Sequence, residues 1–260
     1  MKRAIKMAVL LISVTAFAQV HSACADELKY DAIYRVAHSQ QPDVAQAIAR
    51  IYVKQSGLTQ IRAALAARGR AAKLGTSWNN GAPEWQAAET RMVTIVEEVL
   101  TRRVENPQWF YEALSQELTQ KFKAEEADEI ATHLESEGGR LQAALIDYKV
   151  IGEMLMTQYT FTGRIRHDVP GTEKEMQRLQ TLWWIQEPFK KRDFSEYPNA
   201  MRFAGGATGV KYVKLLVTQG VAALTSYIDQ VAKETTQAVA SSEADLELFV
   251  EQYRSRVNNN

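Results

Sequence analysis

The chain is poor in the residues that build disulfides and zinc sites. It has one cysteine, Cys24, and four histidines among 260 residues. A lone cysteine cannot form an intramolecular disulfide, and zinc sites draw mainly on cysteine and histidine. The HExxH motif of zinc proteases and the GxSxG elbow of many hydrolases do not occur in the sequence. The composition therefore excludes a disulfide-stapled fold and gives no reason to expect a metal.

The chain also lacks an excess of charge of either sign. It carries 31 lysines and arginines against 31 aspartates and glutamates. Proteins that bind nucleic acid usually present a basic excess, so we expect no nucleic-acid partner. The glycine-rich stretch 205–209 is followed by Val210, whereas a phosphate-binding loop needs lysine directly after its last glycine. We therefore expect no nucleotide and no other cofactor.

What the chain does have is an N-terminus typical of an exported protein. Lys2, Arg3 and Lys6 precede an uncharged apolar run over residues 7–18. That run is too short to cross a bilayer as a helix, which takes roughly 20 residues. Ala23 and Ala25 place small residues at the two positions that signal peptidase reads. The pattern predicts a signal peptide over residues 1–25 and a mature protein in the periplasm.

The position of the cut decides the fate of the only cysteine. Cleavage after Ala25 leaves a mature chain without cysteine, hence without a thiol nucleophile or thiolate ligand. The alternative is an outer-membrane lipoprotein with Cys24 lipidated as the first mature residue. Lipoprotein signals usually carry an aliphatic residue three positions before the cysteine, and His21 stands there. We therefore prefer the soluble periplasmic protein.

Apolar residues recur at helical spacing along almost the whole mature chain. The pattern predicts an all-α, multi-helix bundle of about eight to ten helices with no sheet. Gly57 is predicted to end the helix that follows Pro42, and Gly138-Gly139 to separate two later helices. Residues 70–82 lose the helical period. We place a boundary there, between an N-terminal helical hairpin region (26–82) and a main helical domain (83–260).

His133 is the best candidate for acid–base chemistry, although a weak one. It stands four residues after Glu129 and four before Glu137, so all three share one face of a helix. One histidine and two carboxylates are fewer than zinc usually recruits, and we predict no metal site. His133 is instead a possible proton-transfer group.

A groove for a ligand or partner is predicted near two adjacent tryptophans, Trp183 and Trp184. Neighbouring residues on a helix point about 100° apart, so both indoles cannot lie deep on one narrow stripe. The segment 210–231 is the most apolar of the mature chain, yet its lysines argue against a membrane span. We predict that Trp183, Trp184, Leu216 and Leu224 line the groove.

Three short stretches and two single residues between residues 83 and 165 resemble an exported bacterial family. They are 110–114 (FYEAL), 118–122 (LTQKF), 124–130 (AEEADEI), Ser136 and Gly139. The family is known only as a domain of unknown function (DUF twenty fifty-nine). The resemblance implies a helical exported domain and brings no catalytic residue with it.

Three functions remain open from the sequence. The first is a non-enzymatic exported protein that acts by binding an envelope protein or by self-association. The second is a periplasmic carrier of an apolar or lipid-like ligand. The third is a hydrolase acting on the cell envelope, with His133 as its proton-transfer group. The missing nucleophile and metal motifs favour the first.

Overall fold

The computed structural model describes residues 27–166, 174, 177, 179 and 197–259. These residues form helices joined by short turns, and no strand occurs among them. The predicted all-α, multi-helix fold is therefore confirmed. No helix in the described part of the chain has the length and hydropathy needed to span a bilayer.

The helices are numbered in chain order. The first half of the chain holds α1 (27–38), α2 (Asp43–Ala71), α3 (Pro83–Leu100), α4 (Gln108–Lys121), α5 (Ala124–Glu135) and α6 (Glu137–Gln142). The second half holds α7 (Tyr148–Phe161), α8 (Pro198–Gly205), α9 (Ala207–Leu215), α10 (Val221–Ser241) and α11 (Leu246–Asn258). Short π-helical segments follow α3, α6 and α9, at Thr101–Glu105, Ala143–Asp147 and Leu216–Gly220.

The described chain separates into two compact units, each assembled from three stretches. Unit 1 contains residues 27–41, 111–148 and 197–220, and unit 2 contains 42–110, 149–166 and 221–259. The predicted boundary at residue 82 falls inside unit 2. The apolar segment 210–231 is divided as well, because α9 belongs to unit 1 and α10 to unit 2.

Unit 2 is built on α2, α3, α10 and α11, which pack against one another. The prediction that Gly57 ends a helix is wrong, because α2 runs through it to Ala71. Gly57 is buried where two neighbouring helices come close. A Cβ atom there would lie 2.7 Å from Val96 Cγ2 of α3 and 3.2 Å from Thr235 Cγ2 of α10. The glycine therefore permits close helix packing and does not terminate α2.

Unit 1 contains two further glycines, Gly138 and Gly139, whose role differs from the prediction. Gly138 and Gly139 do not separate two helices but lie inside the first turn of α6. The break comes at Ser136, whose hydroxyl accepts a hydrogen bond from Gly139 N at 3.1 Å and caps the helix. A Cβ on Gly139 would lie 1.8 Å from the carbonyl oxygen of His133. This close approach lets α6 follow α5 directly.

Replacing Gly57 by leucine, a good helix former, tests whether packing or backbone freedom matters there. We expect the free energy of unfolding to fall by about 1–3 kcal/mol, because Val96 is buried and stiff and cannot make room. The matched control is Gly205→Leu, where a Cβ meets nothing within 4 Å. Urea unfolding followed by circular dichroism measures both. Equal stability of the two variants would contradict the packing role of Gly57.

Candidate functional site

His133 lies on α5 with its ring almost entirely buried, at 8 % exposure. The imidazole stacks on the ring of Phe203 from α8, with centroids 3.8 Å apart. Its Nε2 is 3.0 Å from Oε1 of Gln142. Burial lowers the pKa of His133 below its ordinary value, against the opposing effects of Gln142 and Glu129. The ring is therefore neutral at pH 7, and its Nε2 donates a hydrogen bond to the side-chain oxygen Oε1 of Gln142.

The carboxylates that the sequence placed beside His133 face other partners. Glu129 accepts a hydrogen bond from the Thr208 hydroxyl at 2.6 Å, and Glu137 accepts one from the Tyr197 hydroxyl at 3.2 Å. Within the described residues, no group of three or more histidine, cysteine, aspartate or glutamate side chains could hold a metal ion.

A buried polar cluster continues from His133 into the centre of unit 1. Asp147, at the end of a π-helical segment, is only 2 % exposed. Its Oδ2 accepts a hydrogen bond from the Tyr212 hydroxyl of α9 at 3.1 Å. Gln40 in turn donates from Nε2 to the Tyr212 hydroxyl at 2.8 Å. Together with Gln142, these side chains form a polar cluster in an otherwise apolar core.

The cluster has too few donors for its acceptors. Asp147 Oδ1 and Gln40 Oε1 are buried without a hydrogen bond from any described group. Burial raises the pKa of Asp147 to about 6, although Tyr212 and the nearby amides of Gln142 and Gln40 favour its charged form. Burial beside this carboxyl also raises the pKa of the Tyr212 phenol well above its ordinary value. A proton on Asp147 would supply the cluster with one of its missing donors.

All side chains of the cluster are buried. Tyr212 is fully buried, and neither His133 nor Asp147 lines either of the two clefts described below. A buried group without access to substrate cannot exchange protons with one. What the hydrogen bonds of Tyr212 do is fix the rotation of α9 about its own axis.

The outward face of α9, together with the π-helical segment that follows it, lines an open groove of about 470 Å³. Residues 210, 213, 214, 217 and 218 are spaced to form one helical stripe, roughly opposite Tyr212. The groove is lined by Ala204 of α8 and by Val210, Val213, Lys214, Val217 and Thr218. Most of its surface is apolar, and Lys214 and Thr218 are its polar lining residues.

Leu216 and Leu224, two of the four residues predicted to line a groove, are not among the residues that line this one. Leu216 is 2 % exposed within unit 1, and Leu224 is fully buried within unit 2. Trp183 and Trp184 lie outside the described residues, as do Ala23, Cys24 and Ala25 of the predicted signal region. A groove at the tryptophans and a cut after Ala25 both stay predictions.

Sequence reasoning missed Asp147, Tyr212 and the α9 stripe. One signal was present: Asp147 is the only charged residue between Arg140 and Lys149, in a segment with a helical apolar pattern. A lone acid on such a segment indicates a buried carboxyl with specific partners. The partners, Tyr212 and Gln40, are 65 residues away on one side and more than 100 on the other. Nothing local in the sequence identifies them.

The raised pKa of Asp147 predicts how stability depends on pH. The folded protein keeps this proton up to about pH 6, whereas the unfolded chain releases it near pH 4. The stability contributed by the neutral carboxyl is therefore complete below about pH 4 and lost as the pH rises through about 6, roughly 3 kcal/mol in all.

The Asp147→Asn variant should not show this loss, because its side chain does not titrate. The free energy of unfolding of the variant, relative to that of the parent protein, should therefore increase between about pH 4 and pH 6. Urea unfolding at several pH values measures the difference, with Asp245→Asn at an exposed position as control. A constant difference between Asp147→Asn and the parent would contradict the assignment.

No protein-family model, curated protein or solved structure matches this chain. The resemblance of residues 83–165 to the family of exported helical domains therefore stays a prediction, and no activity passes to the chain from a relative. Its function has to be inferred from the surfaces and contacts of the described residues.

Proposed function

We propose that the protein is an exported, non-enzymatic binding protein that acts in the periplasm. Its α9 groove holds an apolar segment of an envelope protein partner. The observation that carries this proposal is the apolar stripe on the outward face of a helix whose inward face is already buried. Val210, at the N-terminal end of the stripe, is 56 % exposed. Apolar surface of this kind is commonly an interaction site.

The shape of the groove favours a protein segment over an enclosed lipid. Sites that carry small apolar ligands bury most of the ligand surface inside a cavity. The α9 groove is open to solvent and not enclosed, which suits an amphipathic helix laid into it with side chains at helical spacing. The alternatives, a lipid-like ligand or a second copy of this chain, are separate outcomes of the experiment below.

Lys214 gives the groove a polarity that a partner can recognise. It is exposed at the rim and has no ion pair within the described part of the chain. A lysine beside an apolar groove selects an apolar segment that carries an acidic side chain at its edge. The partner is therefore expected to present two or three apolar residues flanked by aspartate or glutamate.

A photo-crosslinking amino acid at Val217, introduced in living cells, tests the proposal. We expect one defined protein adduct in the periplasm, because Val217 lines the groove. A second substitution, Val210→Glu, should reduce that adduct about tenfold, since it places an unpaired charge in an apolar interface. The same crosslinker at Leu248, an exposed residue of α11 at 58 %, is the control.

Three results would overturn the proposal. The first is an equal protein adduct from Leu248, which would mark non-specific capture. The second is an adduct of lipid mass, which would favour the carrier. The third is an adduct containing two copies of this chain, which would favour self-association.

A further inference from the structure

Unit 2 contains a cleft of about 780 Å³ at the C-terminal end of α2. The last turns of α2, the loop 72–82 and the first turn of α3 form its walls. Three cations line it, Arg62, Arg70 and Lys73, and none of its lining residues is acidic. We propose that this cleft binds a small sugar that carries a carboxylate or a phosphate. This proposal is independent of the α9 groove.

The cations are only partly neutralised by the protein. Arg62 pairs with Glu89, with Nη2 and Oε1 3.0 Å apart. Arg70 and Lys73 are exposed, and neither has an ion pair with any residue that the structure describes. Guanidinium and ammonium groups that converge on one cleft attract a carboxylate or phosphate, and arginine can bind either one through two parallel hydrogen bonds.

The preference of a helix C-terminus for cations does not explain this arrangement. It accounts for Arg70 in the last turn of α2, but Arg62 lies two turns earlier and Lys73 lies beyond the helix. The last carbonyl groups of α2 are also occupied. Those of residues 68, 69 and 70 accept hydrogen bonds from backbone amides of the following loop at 2.9–3.1 Å. An anion in the cleft therefore meets few free carbonyl oxygens.

The backbone at Lys73 has a conformation that is unfavourable for lysine, so the presence of a lysine there needs an explanation. Lys73 has φ +56°, and no other residue except glycine has positive φ in the described chain. Glycine or asparagine adopts this left-handed conformation more easily than lysine does. A lysine thus occupies a position where the backbone alone favours glycine. Glycine at this position would lack the ammonium group that lysine brings to the cleft.

The floor of the cleft is rigid. The Trp78 indole donates a hydrogen bond to the Leu65 carbonyl at 2.9 Å and packs edge-on against Trp85 and Tyr253. Asn79 bridges its own loop, donating to the Thr76 carbonyl and accepting from the Gly81 amide, both at 2.8 Å. A loop held this way loses little conformational entropy when a ligand binds.

The polar groups at the rim favour a sugar over a bare anion. Thr76 and Asn80 are exposed there, and they offer a hydroxyl and an amide to hydroxyl groups of a ligand. The volume falls in the range of small-molecule sites, about 300–1,000 Å³, and exceeds what one inorganic anion fills. An anionic monosaccharide matches both the cations and the rim.

Calorimetric titration of the whole protein at low salt tests the proposal, with glucose 6-phosphate and glucuronate as probes. We expect saturable binding of at least one, no binding of glucose, and weaker binding of inorganic phosphate than of the sugar phosphate. Arg70→Gln should weaken binding about tenfold, because a charged hydrogen bond is lost. Lys233→Gln, at an exposed lysine outside the cleft, should leave it unchanged.

A second variant separates binding from folding. Lys73→Gly relieves the left-handed backbone, so its unfolding midpoint should equal or exceed that of the parent protein. Its affinity for the anionic sugar should nevertheless fall about tenfold. Full affinity in Lys73→Gly and Arg70→Gln, absence of binding by both probes, or equal binding of glucose would each overturn the proposal. If inorganic phosphate binds as tightly as the sugar phosphate, the cleft recognises an anion only and the sugar assignment is wrong.

Discussion

Tyr212 is the side chain on which the architecture of unit 1 depends. It is fully buried on the inward face of α9, where it donates to Asp147 and accepts from Gln40. A buried phenol must satisfy its hydroxyl, so these two bonds allow α9 only one rotation about its axis. That rotation turns the opposite stripe, centred on Val213, outward. The position of the apolar groove thus follows from the hydrogen bonds that Tyr212 makes in the interior of unit 1.

The cluster that holds Tyr212 also has an energetic cost, because it buries a carboxyl group where most protein cores have only apolar side chains. A carboxyl as deeply buried as Asp147 is stable only with hydrogen bonds, and one of its oxygens has none from the described residues. An apolar residue of similar size would spare that cost but would remove the carboxyl that accepts the Tyr212 hydrogen bond. We infer that the cluster is kept because it specifies the orientation of α9. Unit 2 obtains its order differently, by close packing at Gly57 and by the aromatic cluster around Trp78.

Much of the fold could be predicted from local sequence, and most of the candidate sites could not. Proline is a local signal for a helix start or break, and Pro83 opens α3 while Asn106-Pro107 precedes α4. The prediction that Gly57 ends a helix is wrong because the sequence does not distinguish two kinds of glycine. One kind ends a helix, and the other allows a neighbouring helix to pack closely. The basic cleft was missed because residues 70–82 carry no helical period and were interpreted as a boundary. The Gly57 error concerns contacts with Val96 and Thr235, which are distant in sequence and which periodicity does not record. The cleft is formed by residues close in sequence, but its shape depends on how the loop after α2 folds back, which periodicity does not record either.

We propose that the protein holds an envelope protein partner and carries out no chemistry of its own. Native mass spectrometry of protein purified gently from its own periplasm is the decisive experiment. We expect a chain that begins at Asp26, in a complex of fixed stoichiometry with one other protein. A chain that is always alone, or one that carries acyl mass on Cys24 or a bound lipid, would contradict it.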